Sequence, residues 1–312
     1  MIEQPLFLVG SERSGTTLLR LMLDHHSDIT WLYEFEYCVD CVSDQGDYPS
    51  LTDFYEFLER DRMFQGSDFS IDRNLSYRQL VDDFLQQKQA METKNFLGAT
   101  VHRHFDRLLH IWSDARFVHL IRDPRDVARS CIGMGWTGNV WYGVDRWIEA
   151  EKTWNNLKSK ISDDRYIEIH YEDLICEPEK TLTSICQFIG VNYETSMLDY
   201  DRDTTYSKPD PSLIQQWRKK LSEFEVQLVE LKVGNSLTEK DYQPSGFPKI
   251  QVNSLKLKQL SLQDWWYRVN FRINRYGLSL FISDYLARKL KMKSWQKENQ
   301  LKMGEIANQY VK

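Results

Sequence analysis

No run of roughly 18 uncharged apolar residues occurs in this chain, so no transmembrane helix is expected. The start does not read as a secretory signal either: Glu3 and Pro5 interrupt it, and no long apolar stretch follows. The expected location is therefore cytoplasmic. Cysteine is sparse. Cys38, Cys41, Cys131, Cys176 and Cys186 are scattered and odd in number, which argues against a disulfide framework. Cys38-x-x-Cys41 has the spacing of half a zinc site, but no second pair follows and no metal is expected. Internal repeats and low-complexity runs are absent. An excess of positive charge is lacking too: 40 Lys+Arg against 46 Asp+Glu leaves −6, which counts against a general nucleic-acid binder.

What is present suits a folded enzyme-sized chain. Of its 312 residues, 41% are hydrophobic and 13% aromatic, enough for a sizeable core. The charge is uneven. Residues 251–312 hold 12 Lys+Arg and 4 Asp+Glu, or +8, and the remainder holds 28 against 42, or −14. Leu6 to Gly10 reads as a buried strand, followed at once by a helix over Thr16 to His26. Ile29 to Phe35, Arg116 to Arg122 and Tyr166 to Tyr171 read as further strands. Leu51 to Met63 and Tyr77 to Lys88 read as surface helices, Asn139 to Lys160 as one long helix, and Glu179 to Ile189 as a helix ended by Gly190. Strands alternating with helices imply an α/β fold, a central mainly parallel sheet covered by helices on both faces. The expected body is 1–250, with 40–98 as a helical insertion on the acceptor side and 251–312 as a basic helical tail.

The most informative segment is Gly10-Ser-Glu-Arg-Ser-Gly15-Thr16-Thr17, between the first strand and its helix. Backbone N–H groups at a helix N-terminus suit a phosphate. Gly-x4-Gly matches the spacing of a P-loop, but Thr16 stands where a nucleoside triphosphatase places lysine, and the cation is Arg13 instead. A second basic motif, Arg122-Asp-Pro-Arg-Asp-Val-Ala-Arg-Ser130, leaves a strand and enters a helix. Taken alone it could be a solvated helix start with surface ion pairs.

Arg13-Ser-Gly-Thr-Thr17, continuing through Leu18, Arg20, Met22, Leu23 and Asp24, resembles the loop of sulfotransferases. The likeness is greatest to tyrosylprotein sulfotransferases and their bacterial relatives, and it covers roughly residues 5 to 240. It implies a P-loop-like fold and transfer of a sulfuryl group from 3′-phosphoadenosine 5′-phosphosulfate (PAPS) to a hydroxyl or amine. It implies that Arg13, Ser14, Gly15, Thr16 and Thr17 hold the 5′-phosphosulfate, that Arg122 and Ser130 hold the 3′-phosphate, and that Tyr171, in Tyr171-Glu-Asp-Leu174, lies near the adenine. Glu34 falls at the position of the family's catalytic base, with Glu36 as local rival, since alternation along a strand would put both on one face. Arg13 is expected to stabilise charge on the leaving group. The family's Gly-x-Lys-x-Pro segment is here Gly98-Ala-Thr-Val-His102-Arg103-His104, without its lysine, and His102 or Arg103 could supply the missing donor. His102 is the candidate for acid–base work.

Trp136, Trp141 and Tyr142 are candidates for the acceptor pocket wall. The expected acceptor is a small molecule, lipid or carbohydrate rather than nucleic acid. In the tail, Trp265, Val269, Ile273, Tyr276 and Leu280 share a helical face beside Arg268, Arg272 and Arg275. That face suits packing on the domain, self-association, peripheral contact with an anionic membrane, or covering of the acceptor site. The alternatives to a sulfotransferase are a small-molecule P-loop kinase and a catalytically inactive module of the same fold.

Overall fold

The computed structural model describes residues 2–92 and 94–308. The chain runs β1 (Leu6–Val9), α1 (Thr16–Asp24), β2 (Ile29–Glu34), α2 (Leu51–Leu58), α3 (Arg62–Gln65), α4 (Tyr77–Glu92), β3 (Phe96–Val101), α5 (Leu108–Ile111) and β4 (Arg116–Ile121). Then come α6 (Pro124–Gly133), α7 (Val140–Gly143), α8 (Asp145–Lys158), β5 (Tyr166–His170), α9 (Tyr171–Cys176) and α10 (Pro178–Ile189). The last helices are α11 (Trp217–Lys220), α12 (Glu223–Val233), α13 (Ser236–Glu239), α14 (Ser254–Tyr276), α15 (Leu278–Lys289) and α16 (Lys293–Asn308). Two compact units result: Met1–Asp123 with Arg146–Gln216, and Pro124–Asp145 with Trp217–Lys312.

The first unit is an α/β layer structure. Its five strands are all parallel, in the order β2-β3-β1-β4-β5. Because strand side chains alternate, β1 sends Phe7 and Val9 to one face and Leu6 and Leu8 to the other, and all four are buried. On the first face they meet α4 through Leu80 and Phe84, and α8 through Trp154. On the second they meet α1 through Leu19 and Leu23, and α10 through Leu182 and Ile185.

Three expectations need correction. Phe96–Val101 is a central strand between β2 and β1, where the helical insertion was expected to run on to residue 98. Gly98 and Ala99 weaken its strand signal. Gly98 is there because the Trp31 ring covers it, and a Cβ would lie 2.2 Å from that ring. The helices at 51–63 and 77–88 are not surface elements: Phe54, Leu58, Leu80, Val81 and Phe84 are fully buried in the sheet's core. The long helix over 139–160 is two helices, α7 and α8, divided at Val144.

The second unit is helical. In it Asp126 accepts the Trp217 backbone N–H at 2.7 Å, and the Arg125 guanidinium lies 3.8 Å from the Trp217 ring centroid and pairs with Glu230 at 2.7 Å. The helical face read from Trp265 to Leu280 breaks at Gly277, between α14 and α15. Among the described residues, no helix is long and apolar enough to cross a membrane.

Candidate active site

In a parallel sheet every strand ends on the same edge, and ligands of such folds bind at that carboxyl edge. The candidate residues of the first unit fall there one by one. The loop from Gly10 to Gly15 follows β1, and Glu34 ends β2 with Glu36 just beyond. His102 follows β3, Arg122 follows β4, and Tyr171 follows β5. Sequence spacing alone did not show that five strand ends would meet.

The loop after β1 is tightly wound. Ser14 donates its hydroxyl to Ser11 O at 2.7 Å, and its N–H to the same oxygen at 3.2 Å. Arg13 is exposed and adopts φ 72°, a left-handed conformation that non-glycine residues seldom take and that binding loops often hold. Gly15 is the N-cap of α1 at φ 99° and provides no side-chain cap, so the helix opens with backbone donors at the loop. A Cβ on Gly15 would lie 2.3 Å from the Tyr171 ring, which rests directly on the loop.

Arg122 ties the loop to that ring. Its Nη1 donates to Arg13 O at 3.2 Å, and its guanidinium lies 4.2 Å from the Tyr171 ring centroid. Arg122 Nε is buried with no hydrogen-bond partner among the described residues. Trp147 supports this strand end by donating Nε1–H to Arg122 O at 2.9 Å. Arg13, Gly15, Arg122 and Tyr171 are therefore brought together. Ser130 lies half-buried on α6 in the second unit. Trp141 and Tyr142 also belong to the second unit, where the Lys232 ammonium sits 4.6 Å and 5.3 Å from their ring centroids.

Behind the loop runs a buried polar chain. Glu36 Oε1 accepts from His102 Nδ1 at 2.6 Å and from the His102 backbone N–H at 3.0 Å. His102 Nε2 lies 2.8 Å from the Thr16 hydroxyl. Burial pulls the His102 pKa down, but the hydrogen bond and charge of Glu36 more than reverse this and hold it above the ordinary value. The charges of Glu34 and Glu12 push the same way. Burial likewise pushes the Glu36 carboxyl up, and its bond to His102 outweighs that and holds it below the usual range. Both shifts favour the charged form of the pair. In the charged form Nε2–H donates to Thr16 Oγ1, so the Thr16 hydroxyl proton is not used in this bond.

This chain corrects the expectation for Glu36. Alternation would have placed Glu34 and Glu36 on one face, but the β2–β3 register shifts between Leu32 and Glu34, and β2 ends there. Glu34 is exposed, whereas Glu36 is buried in a 3₁₀ turn and occupied by His102. Arg103 is engaged elsewhere, in a two-pronged pair with Asp40 at 2.8 and 2.6 Å. One role escaped the sequence reading. Glu12 in the loop pairs with Arg146 at the start of α8, a partner that no local pattern announces. Thr16 was assigned to the phosphosulfate by the resemblance, and its hydroxyl also ends the polar chain.

The family model described as Sulfotransferase family matches residues 5–195, more than half of the chain. The protein belongs to the sulfotransferase family. It is similar to protein-tyrosine sulfotransferase 1 of Danio rerio, with 21% identity over 64% of this chain and 57% of the relative. It is also similar to the protein-tyrosine sulfotransferase of Drosophila melanogaster, with 23% identity over 64% of this chain and 40% of the relative. The chain thus matches only about half the length of these relatives. Among solved structures, a sulfotransferase domain from the curacin biosynthetic pathway superposes with a TM-score of 0.58. It has 17% identity over 78% of this chain and 99% of that one, a likeness that speaks for a shared fold.

Proposed function

We propose that the protein is a PAPS-dependent sulfotransferase acting on a hydroxyl or amine of a small-molecule, lipid or carbohydrate acceptor. The observation that carries this reading is the loop after β1, with a left-handed Arg13 and an uncapped helix start, held against Arg122 and Tyr171. These residues fit a nucleotide bisphosphate. The buried Arg122 Nε is a donor without a partner among the described residues, and the Tyr171 ring is an apolar face beside it. The N–H groups of Gly15, Thr16 and Thr17 and the guanidinium of Arg13 would hold the 5′ side, and Arg122 the 3′-phosphate. Ser130 is assigned to the 3′-phosphate by the family's sequence pattern. PAPS, when bound, supplies the sulfuryl group and a phosphate leaving group.

The chain's own residues then divide the work. Glu34, exposed at the end of β2, accepts the acceptor's proton. Arg13 offsets the negative charge of the departing phosphate. His102, charged through Glu36, directs the Thr16 hydroxyl as a donor where a P-loop has lysine, so a positive charge acts at the loop through one intervening hydroxyl. Thr16 in the lysine position speaks against the kinase alternative, and the assembled loop, base and polar chain speak against an inactive module. The five cysteines are thiols among the described residues, which suits a reducing compartment and a cytoplasmic location.

Calorimetry tests the cofactor assignment. Without metal, 3′-phosphoadenosine 5′-phosphate should bind the wild type, and Arg122→Ala should lose that binding. A preference for ATP with Mg²⁺, or no binding of the bisphosphate by folded protein, overturns the reading.

A further inference from the structure

The two sides of α14 are used differently. Leu260, Asp264, Tyr267 and Phe271 recur at spacings that keep them within roughly 60° of one another around the helix. This side is the one held. Gly138 N–H donates to Asp264 Oδ1 at 2.7 Å, Asn139 Nδ2 to Leu260 O at 2.8 Å, and Tyr267 Oη to Ile132 O at 3.0 Å. The opposite side carries Leu255, Leu262, Trp265 and Trp266, which are 75%, 65%, 52% and 58% exposed. Trp265 also lines a cavity of about 240 Å³ with Phe281 and Tyr285 of α15. Neighbouring exposed tryptophans and leucines of this extent mark an interaction surface.

The charge around this surface indicates what covers it. Arg268, Arg272 and Arg288 line the same cavity. Two buried carboxylates fix them: Asp264 accepts from Arg268 Nε at 2.8 Å, and Asp284 accepts from Arg272 Nη2 at 2.8 Å and Arg288 Nε at 3.0 Å. Three guanidinium groups against two carboxylates leave one positive charge, pinned beside Trp265 and Tyr285. Residues 251–312 as a whole carry +8. A two-fold dimer through this face would set that charge against its own copy. An anionic bilayer has the opposite sign, and its headgroup layer accommodates tryptophan and tyrosine rings with arginine beside them.

We propose that the outer face of α14, with the adjoining side of α15, docks the protein peripherally on an anionic lipid bilayer. Leu262, Trp265, Trp266 and Tyr285 enter the headgroup region, and the flanking arginines and lysines pair with lipid phosphates. The proposal is independent of the sulfotransferase reading, because it uses none of the residues assigned to cofactor or acceptor.

Co-sedimentation of the full chain with phosphatidylcholine vesicles, with and without phosphatidylserine, tests it. The protein should bind the anionic vesicles and bind neutral ones at least about tenfold more weakly, and added salt should release it. Trp265→Ser/Trp266→Ser should bind anionic vesicles about tenfold more weakly with an unchanged circular dichroism spectrum, since both rings are exposed. Lys258→Glu/Lys289→Glu should weaken binding while leaving the apolar face intact. Absence of binding by folded wild type, or equal binding by the tryptophan variant, overturns the proposal. So does a wild-type dimer in sedimentation velocity that the tryptophan variant abolishes while no vesicle binding is seen.

Discussion

β1 and α14 treat their apolar residues in opposite ways. In β1 all four side chains are buried, two on each face of the sheet. In α14 an aspartate is buried and two tryptophans are left outside. The strand is secured by dispersion and by removal of apolar surface from water, and its sequence is apolar throughout. The helix is secured by Asp264 and Tyr267 bonding the Gly138 N–H and the Ile132 carbonyl, by Asn139 bonding the Leu260 carbonyl and by burial of Leu260, while Trp265 and Trp266 stay exposed. A hydrophobic side chain therefore contributes to folding in one region and to association in the other.

The two modes of burial should separate most sharply in stability. Phe7→Ala removes a ring packed against Trp112 and Phe117 at centroid distances of 5.3 and 6.1 Å. It should cost about 3–5 kcal/mol in denaturant unfolding. If that loss were nearer the few tenths expected on a surface, the sheet core would not be what holds the first unit.

Catalytic effects should be confined to the strand ends. Glu34→Gln should lower kcat by about a hundredfold to a thousandfold. Binding of the bisphosphate, read by calorimetry, should be preserved, because the exposed carboxylate holds no part of the loop. Near-normal turnover would remove Glu34 as the base.

The polar chain behind the loop should appear as a pH dependence. The raised His102 pKa contributes stability that is complete below the ordinary histidine value of 6.5 and is lost as pH rises through the folded value. The lowered Glu36 pKa contributes stability present above 4.5 and lost as pH falls through its folded value. The pair therefore stabilises most between these two limits. Affinity for the bisphosphate should decline at the alkaline end, where His102 loses its proton and Thr16 Oγ1 becomes the donor to it. Glu36→Gln should move that decline to lower pH and weaken binding by about tenfold near neutrality. An unshifted profile would make His102 a purely structural neighbour of Thr16.

Smaller effects are expected on α14. Asp264→Ala leaves the Gly138 N–H and the Arg268 guanidinium without their acceptor and should cost about 1–3 kcal/mol of unfolding free energy. Trp266→Ser should change stability by no more than about 0.5 kcal/mol. A large loss there would place Trp266 in the fold rather than on a docking surface.

Much of the site was legible because its parts are local. The phosphate loop is one contiguous segment between a strand and a helix, and backbone geometry at such a junction follows from the short-range pattern Gly10 to Thr17. Arg122 and Tyr171 could be found because each follows a segment read as a strand and stands in a short motif that resembles the family's. The α/β alternation, the parallel sheet and the membership of Arg13-Ser-Gly-Thr-Thr17 in its family were likewise carried by residues close together in the chain.

What only the tertiary structure decided depends on contacts between distant residues. β3 could be placed only by its neighbours, because Gly98 fits under the Trp31 ring rather than favouring a strand. The separation of Glu34 from Glu36 follows from a register shift against β3, and the pairing of Glu36 with His102 bridges 66 positions in the chain. Periodicity identified α14 as amphipathic but did not tell which side would be held. Both sides of the helix carry large apolar residues, and the held side is the one where Asp264 and Tyr267 bond backbone groups of Gly138 and Ile132, Leu260 is buried and Phe271 lies against Gly135. Local sequence determined the loop and the class of fold, and long-range packing determined which carboxylate is free and which aromatic face is left outward.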